Sequence, residues 1–201
     1  MLKDVLSSPQ AYLFTQGVFG ALSSRQKLIA EYTHIDSNTR ILDIGCGPGY
    51  VIDYMPDFKE YVGYDVSQPY IVYAQKKFGS ANVKFLNKEY DEQEAQSLGT
   101  FDLILMNGLI HHLDDVQTVQ LFNVVKRSLS PKGHLICMDG CFHEPQSSIA
   151  KWFLKNDRGQ FVRTEEEYLC LTRTVFKNVK HDLKTEYMRI PYSLFIQDIT
   201  L

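Results

Sequence analysis

Short apolar runs alternate with amphipathic stretches along the first 140 residues of the chain. The apolar runs predict buried strands at 40–44, 60–65, 82–86, 101–106 and 134–139. Between them, apolar residues recur at helical spacing, most clearly over 68–78 and 115–129. Strands that alternate with helices are typical of an open α/β fold, with a parallel sheet and helices on both faces.

The pattern changes after residue 145. Thr164 and Glu167 have the spacing of a capping box, and they predict a helix that runs to about residue 176. Two further apolar segments, 179–187 and 191–200, predict a pair of strands joined by a short turn near residues 189–191. The end of the chain is therefore expected to add a hairpin to the sheet.

Composition and charge exclude several classes of protein. Hydrophobic residues make up 44% of the chain and charged residues 22%, which is typical of a globular protein. The formal net charge is -3, whereas proteins that hold a phosphate backbone usually carry a basic excess. Four cysteines do not indicate a disulfide scaffold, and no apolar run approaches the roughly 18 residues that span a bilayer. Polar residues interrupt the apolar N-terminus, so we interpret it as mature protein and expect a cytoplasmic location.

The chain shows no linker or internal repeat, so we predict one domain over residues 1–201. Residues 1–36 are expected to form helices, either as a lid that excludes water, with Tyr12 near the substrate, or as packing on the sheet edge. Residues 140–178 are expected to form an insertion on the substrate side. Within it, Arg158 and Arg163 are candidates to bind an anionic group of the acceptor, and a solvated surface is the alternative.

A glycine-rich turn directly follows the first strand and contains Gly45, Gly47 and Gly49. Ligands of open α/β sheets bind outside the carboxyl ends of the strands, which is where this turn is predicted to lie. Asp43 precedes the turn, and Asp65 ends the second strand, where a carboxylate can accept both hydroxyls of a ribose. These residues predict a nucleoside-containing ligand.

Two ligand classes are compatible with such a turn. A dinucleotide places a pyrophosphate against it and needs many N–H donors, but Pro48 lacks an N–H and Asp43 would repel the dianion. S-adenosylmethionine instead presents an ammonium group beside a sulfonium. The ammonium can donate to a carboxylate directly or through water. The turn therefore favours S-adenosylmethionine, with a nicotinamide-dependent oxidoreductase as the alternative.

Four segments of the chain together resemble the motifs of one known family. They are ILDIGCGPG at 41–49, VGYDVS at 62–67, FDLILMNGLIHHL at 101–113 and LSPKGHLICMD at 129–139. In order and spacing they are similar to the motifs of class I S-adenosylmethionine-dependent methyltransferases, of the small single-domain bacterial type. The resemblance implies a Rossmann-like, seven-stranded, mostly parallel sheet whose last strand is antiparallel. That expectation agrees with the hairpin predicted at the end of the chain.

The resemblance also implies a cofactor site. The residues that match it are Asp43, Gly45, Cys46 and Gly47 around the methionine moiety, Asp65 at the ribose, Val66, Glu89 and Tyr90 at the adenine, and Asn107, whose main chain faces the sulfonium. Tyr90 replaces a residue that is usually small in the family, although its backbone N–H would still serve the adenine.

Methyl transfer needs a general base only when the acceptor arrives protonated. His111 and His112 follow the fourth strand and are candidates for that base, although the second histidine in this family often closes its loop structurally. Asp139 at the end of the fifth strand is a candidate substrate contact. His134, Cys137, Cys141 and His143 are close in sequence, but strand alternation separates the first two, so no metal site is expected.

The sequence thus predicts an enzyme that transfers a methyl group from S-adenosylmethionine to a small molecule or biosynthetic intermediate by in-line displacement, with S-adenosylhomocysteine as product. An oxidoreductase and a non-catalytic S-adenosylmethionine-binding module are the alternatives, and a nucleic-acid substrate is less favoured. The acceptor atom and the oligomeric state stay open.

Overall fold

A computed structural model describes residues 17–201, so the predicted role of Tyr12 lies outside the described residues. In this part of the chain the strands are β1 Arg40–Ile44, β2 Glu60–Tyr64, β3 Val83–Leu86, β4 Phe101–Asn107, β5 Leu129–Phe142, β6 Arg163–Thr164, β7 Asn178–Lys184 and β8 Leu194–Thr200. The α-helices are α1 Ala21–Tyr32, α2 Gln68–Phe78, α3 Glu92–Leu98, α4 Asp115–Ser128, α5 Ser148–Lys155 and α6 Glu165–Arg173. Single turns of 3₁₀ helix occupy Tyr50–Tyr54 and Ile110–His112.

The main path of the sheet has the strand order β3-β2-β1-β4-β5-β8-β7. Strands β1 to β5 pair in parallel, whereas β8 is antiparallel to both β5 and β7. The two-residue strand β6 pairs with β5 beside this path. The predicted seven-stranded, mostly parallel sheet with an antiparallel last strand is confirmed, with β6 as a short addition.

Strand residues point alternately into two apolar cores, one on each face of the sheet. On β4, Ile104 and Met106 join one core, whereas Leu103 and Leu105 join the other. Helices α3, α4 and α6 contribute to the first core, and helices α1, α2 and α5 contribute to the second. Burial of both faces explains why the parallel strands read as nearly continuous apolar runs.

Strand β5 is longer than the predicted 134–139. The pairing with β4 shifts between Phe101, which lies opposite Leu129, and Leu103, which lies opposite His134. The Ser-Pro-Lys-Gly segment at 130–133 therefore bulges within the strand rather than preceding it. Pro131 is tolerated in the bulge because the ladder does not require a hydrogen bond from its nitrogen there.

The segment after β5 differs most from expectation. The capping box is confirmed, since Glu167 N donates to Thr164 Oγ1 and Thr164 N donates to Glu167 Oε2, but α6 ends at Arg173. Helix α5 was not predicted. The connection of β7 to β8 spans residues 185–193 instead of a tight turn, because it carries Tyr187 and Tyr192 into the second core.

Residues 17–201 contain neither a helix that could cross a membrane nor a cluster of metal ligands. No helix there combines the length and apolar character that a membrane crossing needs. No group of three His, Cys, Asp or Glu side chains converges there in a way that could hold a metal ion. Of the histidines and cysteines close in sequence, His134 bonds to Asp198 and His143 bonds to Ser193.

Candidate functional site

The carboxyl ends of β1, β2 and β4 surround a cavity of about 700 Å³. Strand β1 lies between β2 and β4, so the order of the strands along the sheet reverses at β1. The connections on the two sides of this point run in opposite directions, and a crevice opens between them. The sequence-predicted residues that line the cavity are Asp43, Gly45, Cys46, Gly47, Asp65, Val66, Glu89, Tyr90, Asn107, His112 and Arg158. His111, Asp139 and Arg163 are not among its lining residues.

Three glycines allow the turn after β1 to fold tightly. Gly45, Gly47 and Gly49 all have positive φ angles, between 55° and 76°, which other residues rarely adopt. A Cβ on Gly49 would lie 2.8 Å from the Phe85 ring, so this glycine also permits a close approach of the chain to β3. The turn is thereby drawn tightly against the sheet edge.

Every backbone N–H in the turn has an acceptor within the protein. The N–H groups of Gly45 and Cys46 both donate to Tyr64 O, at 2.8 and 3.0 Å. Gly47 N donates to Asp65 Oδ2 at 2.8 Å, and Gly49 N donates to Cys46 O at 3.1 Å. Because Pro48 has no N–H, the turn offers no backbone donor that is not already used.

Asp43 is buried at the cavity wall, with 2% of its surface exposed. Tyr61 Oη donates to Asp43 Oδ2 at 2.6 Å, whereas Oδ1 has no partner among the described residues. Burial raises the pKa of Asp43 to about 7, although the Tyr61 hydrogen bond and the charge of Arg25 act in the opposite direction. A buried carboxylate oxygen without a partner is costly, so this atom fits a ligand cation or donor.

Asp65 joins the glycine turn to the start of α2. Its Oδ2 accepts from Gly47 N and its Oδ1 accepts from Ser67 N, at 2.8 and 2.7 Å. Ser67 precedes α2, but its side chain makes no cap hydrogen bond, and its backbone N–H donates to Asp65 instead. Burial raises the pKa of Asp65, and the two backbone donors oppose that shift. Each oxygen retains a lone pair that can accept a hydroxyl.

The wall beyond Asp65 is apolar on one side and acidic on the other. Val66 is 69% exposed and faces the cavity, so an apolar ring can cover it. The Tyr90 ring turns into the core, where it packs against Tyr64 and its hydroxyl bonds to Ser128. The bulky residue at this position therefore leaves the cavity open, with exposed Glu89 at the rim.

Asn107 ends β4 at the opposite wall of the cavity. Its Oδ1 is buried and has no hydrogen-bond partner in residues 17–201. Gly108 follows with a φ of 69°, and its N–H donates to Met138 O. Two buried oxygens, on Asp43 and Asn107, thus line one cavity without a partner, which the chemistry of a cationic or hydrogen-bond-donating ligand would satisfy.

The two adjacent histidines occupy different surroundings. His111 is buried, and its Nδ1 lies 2.7 Å from Asp139 Oδ1, while its Nε2 lies 3.3 Å from Asp157 Oδ1. Burial opposes its charge, but these carboxylates raise the pKa of His111 to about 9. Burial and the neighbouring His111 charge lower the pKa of His112, which lines the cavity. Of the two, only His112 faces the cavity in a form able to accept a proton at neutral pH.

The structure places Asp139, His111 and Arg163 outside the lining of the cavity. Asp139 is 3% exposed, and its Oδ1 accepts from the His111 backbone N–H and lies at hydrogen-bond distance from the His111 ring. Arg163 is 6% exposed, and all five of its N–H donors are used. They bond to the carboxylate of Asp115 and to the carbonyl oxygens of Ile110, Leu113 and Phe161. Arg163 is therefore a buried structural cation, whereas Arg158 lines the cavity.

Sequence reasoning missed several residues at the site. Arg25 of α1 lines the cavity, stacks over the Tyr50 ring and lies near enough to Asp43 to influence its pKa. Asp91 also lines the cavity while it caps α3, and Asp157 completes the surroundings of His111. The Asp91 spacing to Glu94 was a readable capping signal, whereas Arg25 and Asp157 come from segments that carry no motif.

Comparisons with known proteins agree with this geometry. A family model described as a methyltransferase domain matches residues 42–135. The chain is 30% identical over 115 residues to cyclopropane-fatty-acyl-phospholipid synthase of Escherichia coli, covering 56% of this chain and 29% of that protein. It is 26% identical over 170 residues to phosphoethanolamine N-methyltransferase of Plasmodium falciparum, covering 80% of this chain and 61% of that protein.

A solved S-adenosylmethionine-dependent methyltransferase from Leishmania major has the same fold, with a TM-score of 0.70 and 15% identity. The similarity covers 98% of this chain and 78% of that one. The chain spans less than two thirds of the length of either curated relative. Residues 42–135 thus match a methyltransferase domain, and the chain shares its fold with a solved S-adenosylmethionine-dependent methyltransferase.

Proposed function

We propose that this chain binds S-adenosylmethionine in the cavity at the ends of β1, β2 and β4 and transfers its methyl group to a small-molecule acceptor. The single observation that carries the proposal is the glycine turn at residues 45–49. All of its backbone N–H groups already have acceptors, and a buried carboxylate oxygen lies beside it. A pyrophosphate needs free donors and no adjacent anion, so a phosphate-free cationic ligand fits better.

The charged residues of the cavity also suit an amino-acid head group. Asp43 offers a carboxylate oxygen to an ammonium, and Arg25 lies close by as a cation for a carboxylate. Asp65 would accept the ribose hydroxyls, and Val66 would cover the adenine. Glu89 and the backbone of Tyr90 would contact the adenine amine, and Asn107 would face the sulfur.

The residues of the chain would act mainly by orientation. When bound, S-adenosylmethionine supplies a methyl group attached to a sulfonium sulfur. The thioether that departs from this methyl group is already a good leaving group. Holding an acceptor in line with such a group is worth up to roughly 7–11 kcal/mol of barrier. His112 faces the cavity with a lowered pKa and would accept a proton from an acceptor that arrives protonated. Arg158 would contact an anionic group of that acceptor.

Calorimetric titration with S-adenosylhomocysteine and with NAD tests the proposal. We expect S-adenosylhomocysteine to bind with micromolar affinity and NAD not to bind. Asp43→Asn keeps the size of the side chain and the Tyr61 contact but removes the charge, so it should weaken binding by a factor of about ten. Binding of NAD alone would contradict the proposal and restore the oxidoreductase alternative.

A further inference from the structure

A buried bridge joins three parts of the chain next to the cavity, and its centre is His111. Asp139 of β5 approaches the imidazole from one side, and Asp157 of the α5–β6 connection approaches it from the other. We call His111, Asp139 and Asp157 the clamp. No cavity-lining role explains it, because neither His111 nor Asp139 lines the cavity.

The geometry of the clamp favours a protonated imidazole, because each ring nitrogen lies within 3.3 Å of a carboxylate oxygen. A neutral imidazole donates from one nitrogen only, so the other nitrogen would face a carboxylate as a second acceptor. An imidazolium donates to Asp139 and presents its second N–H to Asp157. Asp139 Oδ1 also accepts from His111 N at 3.1 Å, and Asp157 Oδ2 accepts from Tyr192 Oη at 2.8 Å. Both carboxylates are therefore fixed in place independently of the ring.

The clamp fastens the segment of residues 156–163 over the turn at residues 110–112. Gly159 N donates to Asp157 Oδ1, and Phe161 N donates to His111 O at 2.9 Å. The backbone passes so close that a Cβ on Gly159 would overlap the His111 ring. Arg158 lies between these attachment points, and it lines the cavity. The position of Arg158 consequently depends on the clamp.

The clamp also acts on the neighbouring histidine. The rings of His111 and His112 lie side by side, with 4.3 Å between their centroids. A positive charge at that distance disfavours a second positive charge, so it keeps His112 neutral. The imidazole that faces the cavity thereby stays available as a proton acceptor.

We propose that His111 is a positioning residue, which as an imidazolium bound to Asp139 and Asp157 holds Arg158 at the cavity and keeps His112 in its neutral form. The positions of Arg158 and His112 do not depend on any reaction, whereas a role for them in catalysis rests on the proposed function. Charged and titratable groups around the clamp come from several elements: Arg25 of α1, His112 and Asp139 at the sheet edge, Asp157 and Arg158 of the α5–β6 connection, Arg163 of β6, and Tyr192 before β8.

Histidine NMR titration of the cofactor-free protein tests the proposal directly. We expect His111 to titrate near pH 9 and His112 below its ordinary value of 6.5. His111→Gln removes the charge, so the midpoint of His112 should rise. His134→Gln is the matched control, because His134 also bonds to an aspartate, Asp198, but neither of them lines the cavity. The control should leave the midpoint of His112 unchanged.

Tryptic cleavage after Arg158 measures the fastening of the segment. In His111→Gln and in Asp157→Asn we expect cleavage to accelerate by a factor of about ten or more, while His134→Gln cleaves like the wild type. If His111→Gln does not fold, the wild-type titration and the cleavage of Asp157→Asn decide. A His111 midpoint at or below 6.5 overturns the proposal, as does unchanged cleavage in Asp157→Asn. Neither readout involves S-adenosylmethionine, so both are independent of the proposed function.

Discussion

Two parts of the site are built in different ways. The edge formed by the glycine turn and the end of β2 is assembled from groups close in sequence, since Gly47 and Asp65 are 18 residues apart, as are Asp43 and Tyr61. The clamp joins groups farther apart, with 28 residues between His111 and Asp139. Arg163, which secures the same segment, bonds to a carbonyl 53 residues away.

The difference shows which contacts a sequence pattern can reveal. A strand, a turn and the next strand form one supersecondary unit, so their polar groups meet wherever that unit forms. The clamp needs three elements that are brought together only by the completed sheet. The first part is therefore expected to govern cofactor affinity, and the second to govern the stability and position of the segment that covers the site.

The largest effect is expected at the first part, from Asp65→Ala. The substitution removes the proposed acceptor of two ribose hydroxyls and the acceptor of Gly47 N and Ser67 N. Hydrogen bonds to a charged group contribute about 1.5–3 kcal/mol each, so the dissociation constant for S-adenosylhomocysteine should rise about a hundredfold or more. Calorimetry on the folded variant measures the change.

Asp102→Ala is the matched control for Asp65→Ala. Asp102 also accepts a backbone N–H, that of Arg40, and it bonds to the Ser130 hydroxyl, but it lies at the opposite edge of the sheet. Its removal should leave cofactor affinity unchanged. If the affinities of the two variants were equal, the ribose assignment would be wrong.

The sequence predicted the first part of the site and the central fold for physical reasons. Apolar runs identify parallel strands that are covered on both faces, and the turn after β1 places Asp43 and Asp65 at the edge where ligands bind. The burial of Arg163 was not predicted, because charge alone does not show burial: nothing near residue 163 reveals that two distant carbonyls and Asp115 accept hydrogen bonds from its donors. The division between His111 and His112 likewise depends on Asp157, which lies outside every motif.

Arg163→Met tests the second part, with an expected loss of about 2–3 kcal/mol in the free energy of unfolding. The methionine keeps the apolar stem, but several buried carbonyl oxygens lose their donor, and each unsatisfied group costs about 1–3 kcal/mol before the surroundings relax. Urea denaturation measures the loss. Exposed Arg173→Met is the control, with a change within about 0.5 kcal/mol. Unchanged stability together with weaker acceptor binding would return Arg163 to the role of an anion-binding residue.

The smallest effect is expected within the first part, because Tyr61→Phe leaves the glycine turn intact and removes one hydrogen bond to Asp43. The pKa of Asp43 is about 7, and the Tyr61 bond lowers it. Only the carboxylate binds a cation, so cofactor affinity should fall as the pH drops through 7, and in Tyr61→Phe this fall should begin at higher pH. At pH 7 we expect a loss of about fivefold, equivalent to roughly 1 kcal/mol. Tyr168→Phe, which loses a buried hydrogen bond to Gly140 O away from the cavity, should leave the pH profile unchanged. Calorimetry across pH 6–8 that showed identical profiles for all three proteins would mean that Asp43 is not the group that receives the cation.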